Sequence, residues 1–196
     1  VAAPHDDVRR RFDLGDARLA ALGFLDVTKA PYLADPTGKQ DATAAIQRAV
    51  MDARDAQLIT YLPAGRYLVS YTIEGVMGTV KWDHWPYEGW SDPWVAYASF
   101  NYPCVIAGPS GGGRATLVLA DRATGFTDPQ KTKPVLYFWA RGETGQTLEP
   151  DVPQSAINFN QKILSLDFEL GAGNAGGIAI DHRGAEGSTI EDVSIQ

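Results

Sequence analysis

The charged residues best placed for catalysis lie close together near the end of the chain, in the run "IDHRGAEG". Asp181, His182 and Arg183 are consecutive, and Glu186 follows three residues later. An aspartate beside a histidine or an arginine can polarise a hydroxyl group or hold a carboxylate, so these four residues are the predicted catalytic group. The structural alternative is that Asp181 and Arg183 form an ion pair supporting a glycine-bounded turn, with His182 hydrogen-bonded locally.

Aromatic residues are concentrated in a second segment, "KWDHWPYEGWSDPW", at residues 81–94. It holds four of the five tryptophans of the chain. Flat aromatic faces stack on the apolar C–H faces of sugar rings, and neighbouring carboxylates can bind sugar hydroxyls. The predicted substrate-binding residues are therefore Trp82, Trp85, Tyr87, Glu88, Trp90 and Trp94. The same surface could instead pack on the flank of the fold or contact another part of the protein.

A third candidate is a pair of carboxylates on one predicted strand, "KILSLDFEL". Asp167 and Glu169 are two residues apart, so both side chains point to the same face of that strand. Two carboxylates placed in this way can hold Ca²⁺ or serve as acid and base, while a solvated strand face is the structural alternative. Asn174 follows in a glycine-flanked turn, where we expect a left-handed backbone rather than a role in binding.

The composition limits cofactors and partners. The three histidines are dispersed, and the single cysteine, Cys104, permits neither an intrachain disulfide nor a Cys-based zinc cluster, so no metal site is predicted. The 196 residues carry a net charge of −7, from 17 basic and 24 acidic residues, which disfavours nucleic acid as a partner. No apolar run approaches the ~18 residues of a membrane span, so no membrane partner is expected.

One clear amphipathic helix is predicted to follow Asp41, which is a good N-cap residue. Apolar residues recur there at the spacing of a single buried helix face: Ala42, Ala45, Ile46, Ala49, Val50 and Ala53. A shorter amphipathic helix, interrupted by Gly15, is compatible with residues 8–22. The clear helix has an apolar face that must cover another element.

After Asp55 the pattern changes to short β-type runs separated by glycine, proline, asparagine or aspartate. Because no helix-length segment separates these runs, a doubly wound α/β sheet is disfavoured, which leaves an antiparallel sandwich or a solenoid. Ile163 and Ile190 lie 27 residues apart in two similar runs, "KILSLDFEL" and "STIEDVSIQ". A repeat of this length favours stacked coils.

Two runs near the start of the chain, "DATAAIQRAVMDA" and "ITYLPAGRYLVSYTI", match the opening of a known family. The matching residues are Asp41, Thr43, Ala45, Ile46 and Ala49 in the helix, then Pro63, Gly65 and Tyr67 in the strand that follows. In this pattern the chain resembles the right-handed parallel β-helix proteins of the pectate-lyase superfamily, and laminarinase-type glycoside hydrolases have similar openings. The later run "LGAGNAGGIAIDHRGAEGSTIEDVSI" resembles an early coil of the same family, whereas residues 81–104 and 120–155 lie outside the resemblance.

The resemblance implies a mainly β fold, a right-handed parallel β-helix with an N-terminal capping α-helix. It also implies a secreted carbohydrate-active protein whose substrate is a polysaccharide or oligosaccharide. Family members cleave by β-elimination, with Ca²⁺ and a basic residue, or by hydrolysis with carboxylates, and the family includes epimerases. We expect hydrolysis, because an acidic chain suits neutral glucans, with Ca²⁺ needed only by a lyase. The alternative is a non-catalytic glycan-binding module of the tailspike type.

The chain ends in a predicted strand, so we expect it to be the N-terminal part of a β-helix domain. The rest would then come from a second chain or from further subunits, and the catalytic residues could lie there. Within the chain we expect a single domain in three parts. Residues 1–75 form the cap helix and first strands, residues 76–104 a tryptophan-rich insertion, and residues 105–196 the first coils.

Overall fold

Short strands stacked in three sheets make up the described part of the molecule, which is residues 21–79, 101–140 and 158–196 of a computed structural model. The strands are numbered in chain order. The first sheet, within these residues, has five parallel strands of three residues each. In spatial order they are β1 (Phe24–Asp26), β3 (Ile59–Tyr61), β7 (Val105–Ala107), β10 (Lys162–Leu164) and β13 (Thr189–Glu191).

The second sheet follows the first along the chain in every coil. Its strands also pair in parallel and in sequence order. They are β2 (Thr37–Asp41), β4 (Gly65–Val69), β8 (Ala115–Leu119), β11 (Leu166–Glu169) and β14 (Ser194–Ile195).

The third sheet has longer strands and positions the candidate site. Its parallel strands are β5 (Ile73–Thr79), β9 (Lys133–Ala140) and β12 (Gly177–His182). A short strand, β6 (Asn101–Tyr102), pairs antiparallel with the end of β5.

Three successive circuits, β3–β5, β7–β9 and β10–β12, each add one strand to each sheet, and the circuits stack in register. Ile106, Ile163 and Ile190 are register partners in the first sheet, so the 27-residue spacing between the last two is one full coil. Buried residues from all three sheets form one continuous core between them, in which Leu117, Phe138 and Ile163 are fully buried. The predicted mainly β fold, a parallel β-helix, is confirmed.

The predicted helix is α1 (Thr43–Ala56), which buries Ile46, Ala49, Val50, Ala53 and Ala56. The prediction of Asp41 as N-cap residue is wrong by one position. Ala42 occupies the N-cap and has no side chain that could cap, while Asp41 ends β2 and accepts a hydrogen bond from the Thr43 N–H at 2.8 Å. In the described residues no helix has the length and apolar character needed to cross a membrane.

Side chains of α1 take the place of a neighbouring strand along one edge of β5. The Gln47 amide donates to the Glu74 carbonyl at 2.9 Å and accepts from the Glu74 N–H at 2.7 Å. Arg54 donates to the carbonyl of Val76 at 2.9 Å. An unpaired strand edge exposes backbone groups that otherwise need water or another strand, so α1 caps the third sheet.

Asn174 joins two coils through its side chain. The amide nitrogen donates to the carbonyls of Ala120 and Leu170, at 2.8 and 2.6 Å, and the amide oxygen accepts from the Ala123 N–H at 2.8 Å. The expected left-handed backbone at Asn174 is wrong, because the positive φ angles of this turn belong to Gly171 and Gly173. The asparagine is buried and satisfies backbone groups of the turn beside it.

Arginine–carboxylate pairs join coils on the outer face of the second sheet. Arg114 binds Asp167 at 2.8 Å and Asp192 at 2.5 Å, and Arg66 binds Glu169 at 2.5 Å. Hydrogen bonds from these arginines lower the pKa of each of the three carboxyls below its ordinary value. Asp167 and Glu169 do share one face, as predicted, but both are engaged by arginines of other coils.

Gln47→Ala should lower the free energy of unfolding by about 1–3 kcal/mol, because it leaves the N–H and C=O of Glu74 without partners at a half-buried edge. Urea unfolding measures the change. Gln40→Ala shortens an exposed glutamine of β2 and is the matched control, with an expected change below about 0.5 kcal/mol. Equal effects of the two variants would contradict the capping role of α1.

Arg114→Gln should reduce the urea midpoint near pH 7, and this deficit should shrink as the pH is lowered to 3 and below. The pKa values of Asp167 and Asp192 are lowered in the folded state, so their contribution is present above an unfolded pKa of about 3.9. It is lost as the pH falls through the lowered folded-state values. Arg48→Gln, at an exposed arginine, is the control. A deficit for Arg114→Gln that is as large at pH 3 as at pH 7 would show that Arg114 acts through packing instead.

Candidate functional site

The outer face of the third sheet brings together residues from three coils. Glu74 of β5, Tyr137 of β9 and Asp181 of β12 are register partners. Side chains at one register position of parallel strands point to the same side of a sheet, so these three form a column. Two residues further along the strands come Trp139 of β9 and Arg183, directly after β12. These five residues are here called the third-sheet cluster.

Contacts within the third-sheet cluster are continuous. The guanidinium of Arg183 binds the Asp181 carboxylate, with Nη2 3.1 Å from Oδ2, and lies 5.7 Å from the centre of the Tyr137 ring. Tyr137 stacks on Trp139 with ring centres 5.7 Å apart and planes 14° from parallel. The indole N–H of Trp139 donates to Glu74 at 3.4 Å. Each side chain is thus oriented by a neighbour in the cluster.

The members of the third-sheet cluster differ in what they offer to a ligand. Trp139 is only 5% exposed and supports its neighbours, whereas Glu74, Tyr137 and Asp181 are partly exposed and the Arg183 side chain is 48% exposed. Partial burial raises the pKa of Tyr137, and the hydrogen bond and charge of Asp181 raise the pKa of Arg183. At neutral pH the cluster therefore presents a neutral phenol ring and a charged guanidinium.

The four predicted catalytic residues occupy different environments. Asp181 and Arg183 lie together on the outer face and form the ion pair that the structural alternative predicted. His182 points to the opposite face, as adjacent strand residues do, and stacks on the buried ring of Phe138 with 5.6 Å between ring centres. Glu186 is exposed in the turn before β13. Catalytic roles for these residues stay predictions.

Burial governs the chemistry of His182. Its Nε2 atom is buried and has no hydrogen-bond partner in the described part of the chain, and burial lowers the pKa of the imidazole. The ring therefore favours the neutral form and is turned away from the third-sheet cluster. It does not share a face with Asp181, despite being its neighbour in sequence.

The predicted substrate-binding residues lie outside the described residues. They belong to residues 80–100, between β5 and β6: Trp82, Trp85, Tyr87, Glu88, Trp90 and Trp94. Their role stays a prediction. The sequence reasoning missed Glu74, Tyr137 and Trp139. The run "PVLYFWA" is apolar throughout, so only the two-residue period of strand geometry would place Tyr137 and Trp139 on one face.

A calcium ion, which the resemblance implies for the lyases, needs several oxygen ligands around one point. Among the described residues, no group of three or more His, Cys, Asp or Glu side chains is positioned to hold a metal ion. The carboxylates of Asp181, Asp167 and Glu169 are instead held by arginines. The described residues therefore do not fit a calcium site.

A separate groove of about 490 Å³ runs along the outer face of the first sheet. Phe24 and Tyr61 form its aromatic wall, with ring centres 5.6 Å apart in an edge-to-face arrangement. Leu22, Pro109 and Leu164 also line it, and the described residues of its lining include serine hydroxyls but no charged side chain. This groove can hold an apolar surface, but it supplies no acid or base.

Comparison with solved structures finds distant similarities. PfbA, a surface adhesin of Streptococcus pneumoniae, is 15% identical, with a TM-score of 0.42 over 87% of this chain and 33% of that one. The Dettilon tailspike protein is 11% identical, with a TM-score of 0.37 over 90% of this chain and 30% of that one. The chain thus spans about a third of the length of either protein. No curated protein sequence matches it.

A family model gives the clearest relationship. Residues 29–127 match the model described as rhamnogalacturonase A/epimerase, pectate lyase-like. The matched range is half of the chain and includes β2, α1 and all strands from β3 to β8. It also contains the residues on which the sequence resemblance depends. The chain belongs to the rhamnogalacturonase A/epimerase, pectate lyase-like family.

Proposed function

We propose that this chain is part of a secreted carbohydrate-active protein that binds a glycan along the third-sheet cluster and hydrolyses it there. The observation that carries the proposal is the column of Glu74, Tyr137 and Asp181, in which an accessible aromatic ring lies between two carboxylates. Family membership supports a carbohydrate ligand, and the chemistry of the cluster supplies the rest of the argument.

Binding rests on Tyr137. Its ring face can pack against the apolar C–H face of a sugar, while its neutral hydroxyl and the flanking groups exchange hydrogen bonds with sugar hydroxyls. Trp139 fixes the ring from one side and Arg183 from another, so little conformational freedom is lost when a ligand binds. A glycan lying across the strands would contact successive coils.

Hydrolysis rests on the spacing of Glu74 and Asp181. The two residues are two coils apart in register, which places their Cα atoms roughly 9.6 Å apart at the usual ~4.8 Å between strands. Side chains that project in parallel from the sheet keep their carboxyl groups at about this Cα separation, which is close to the upper end of the range of about 6.5–9.5 Å in inverting glycosidases, where a water molecule fits between the carboxyl groups. The column therefore suits hydrolysis with inversion, and Arg183, whose pKa is raised, is poorly suited to abstract a proton.

The neighbours of each carboxylate suggest its role. Asp181 accepts hydrogen bonds from the Arg183 guanidinium, which orients it as a carboxylate, so we assign it to activate water as the general base. Glu74 lies beside the buried Trp139 and is assigned to protonate the oxygen of the leaving sugar. The tryptophan-rich segment begins directly after β5 and is proposed as a further wall for the glycan, through Trp85 and Trp90.

Binding without cleavage is the second candidate. The Asp181–Arg183 pair favours it, because a compensated carboxylate can hold sugar hydroxyls without taking part in catalysis. Glu74 would then be a further hydrogen-bond acceptor for the ligand.

Tyr137→Ala should weaken glycan binding about tenfold, which corresponds to 1.4 kcal/mol, because the stacking face is lost. Isothermal titration with a panel of polysaccharides and oligosaccharides measures the change in the full chain. Tyr61→Ala is the matched control, because it removes another tyrosine ring, on the outer face of the first sheet. It should leave the affinity for the glycan unchanged. A loss of affinity in Tyr61→Ala alone would move the binding site to the first sheet.

Glu74→Gln and Asp181→Asn should each reduce the release of new reducing ends by about 10²–10⁴-fold, the usual contribution of a general acid or base. The stereochemistry of the first product, followed by NMR, should show inversion. Glu191→Gln, at an exposed carboxylate of β13 in the first sheet, is the matched control and should retain activity. Unsaturated products would contradict hydrolysis, and binding without any product would favour the second candidate.

A further inference from the structure

The third-sheet cluster carries more negative than positive charge. Glu74 and Asp181 contribute two carboxylates, and Arg183 contributes one cation. The Arg183 guanidinium is the group in the cluster that would pair with an acidic ligand. Whether the cluster binds acidic sugars therefore depends on whether the hydrogen-bond donors of this guanidinium are already engaged.

Asp181 already occupies the side of the guanidinium that would bind a carboxylate. Nε of Arg183 lies 3.3 Å from both Asp181 oxygens, and Nη2 lies 3.1 Å from Oδ2. This is the two-pronged geometry with which arginine recognises carboxylates in general. The guanidinium also lies against the Tyr137 ring, so a ligand carboxylate would have to displace Asp181 or approach through the remaining edge.

The other basic residue on the three strands is also engaged elsewhere. Lys133 begins β9, four residues before Tyr137, and its ammonium lies 3.1 Å from the centre of the Tyr71 ring and 4.8 Å from that of Phe126. Such contact with ring faces offsets part of its charge. It does not replace Arg183 as a partner for an acidic sugar at the column.

We propose that the third-sheet cluster selects neutral glycans over uronic-acid glycans, and that Asp181 determines this selectivity by occupying the guanidinium of Arg183. The inference rests on the proposed function, since it concerns the ligand class of the same face. Sugar hydroxyls donate to Glu74 and Asp181, whereas a sugar carboxylate meets two negative charges and a guanidinium that is already paired. Removing the charge of Asp181 while keeping its shape should reverse the preference.

The test compares two sets of oligosaccharides of equal length by isothermal titration, on the full chain. The neutral set is xylohexaose, cellohexaose, mannohexaose and laminarihexaose, and the acidic set is hexagalacturonate and hexamannuronate. The unchanged chain should bind a neutral probe and bind the acidic probes at least about tenfold more weakly, and Tyr137→Ala should weaken binding of the neutral probe by about tenfold. Asp181→Asn should strengthen binding of an acidic probe by about tenfold or more, with a salt dependence typical of a new ion pair.

Two controls separate this effect from a change in net charge. Asp167→Asn removes one of the two carboxylates that bind Arg114 on the second sheet, changes the net charge by the same amount, and should not strengthen acidic binding. Adding Arg183→Gln to Asp181→Asn should abolish the gain, which shows that the guanidinium causes it. Far-UV circular dichroism and thermal unfolding confirm that each variant is folded.

Each outcome has a distinct meaning. If no probe binds, or if Tyr137→Ala has no effect on binding, the proposed function fails and the inference fails with it. If a neutral probe binds through Tyr137 but Asp181→Asn does not gain acidic affinity, the inference fails alone. A preference of the unchanged chain for an acidic probe would also overturn the inference, while leaving glycan binding by Tyr137 intact.

Discussion

The register between β5, β9 and β12 is the constraint on which the candidate site depends. It aligns Glu74, Tyr137 and Asp181, which are more than forty residues apart from one to the next along the chain, into one column. A slip of β9 by one residue would turn Phe138 outward and Tyr137 into the core, because strand residues alternate between faces. Full burial of Phe138 and Leu136 makes such a slip costly, so core packing fixes the geometry of the outer face.

The helix α1 stabilises the third sheet along the edge formed by β5. Gln47 and Arg54 satisfy the backbone of β5 at an edge where no strand of the described residues precedes it in the third sheet. Glu74 therefore has its backbone fixed by α1 and its side chain contacted by Trp139. The capping helix and the candidate site are adjacent, which links an element needed for folding to one proposed for function.

Charge is organised differently on the two charged faces. On the second sheet, arginines from other coils bind Asp167, Glu169 and Asp192, and those ion pairs join coils that are one or two positions apart in the stack. On the third sheet, the Asp181–Arg183 pair lies at the end of a single strand and leaves Glu74 without a cation in the cluster. The first arrangement stabilises the solenoid, whereas the second presents hydrogen-bonding groups beside an aromatic ring.

Much of the fold follows from the sequence, because period and spacing are local signals. The helical spacing after Asp41, the β-type runs and the 27-residue offset between Ile163 and Ile190 each correspond to a described element or register pair. Asp181 and Arg183 could also be selected from local chemistry, and so could their mutual ion pair.

The remaining parts of the site depend on long-range pairing. Glu74 belongs to a run without a distinctive motif, and Tyr137 belongs to an aromatic strand that is typical of a core, so only the register between coils places them beside Asp181. Burial likewise decides the environment of His182, and backbone acceptors from the turns around it decide that of Asn174. No local pattern in the sequence encodes these contacts.

The most direct measurement of the central claim is hydroxyl-radical footprinting of the chain with and without a bound oligosaccharide, read at individual tyrosines by mass spectrometry. Tyr137 is partly exposed in the free chain, and Tyr61 provides an internal reference on the first sheet. We predict that the ligand protects Tyr137 from oxidation and leaves Tyr61 unchanged. Protection of Tyr61 with an unchanged Tyr137 would contradict the assignment of the third sheet as the glycan-binding face.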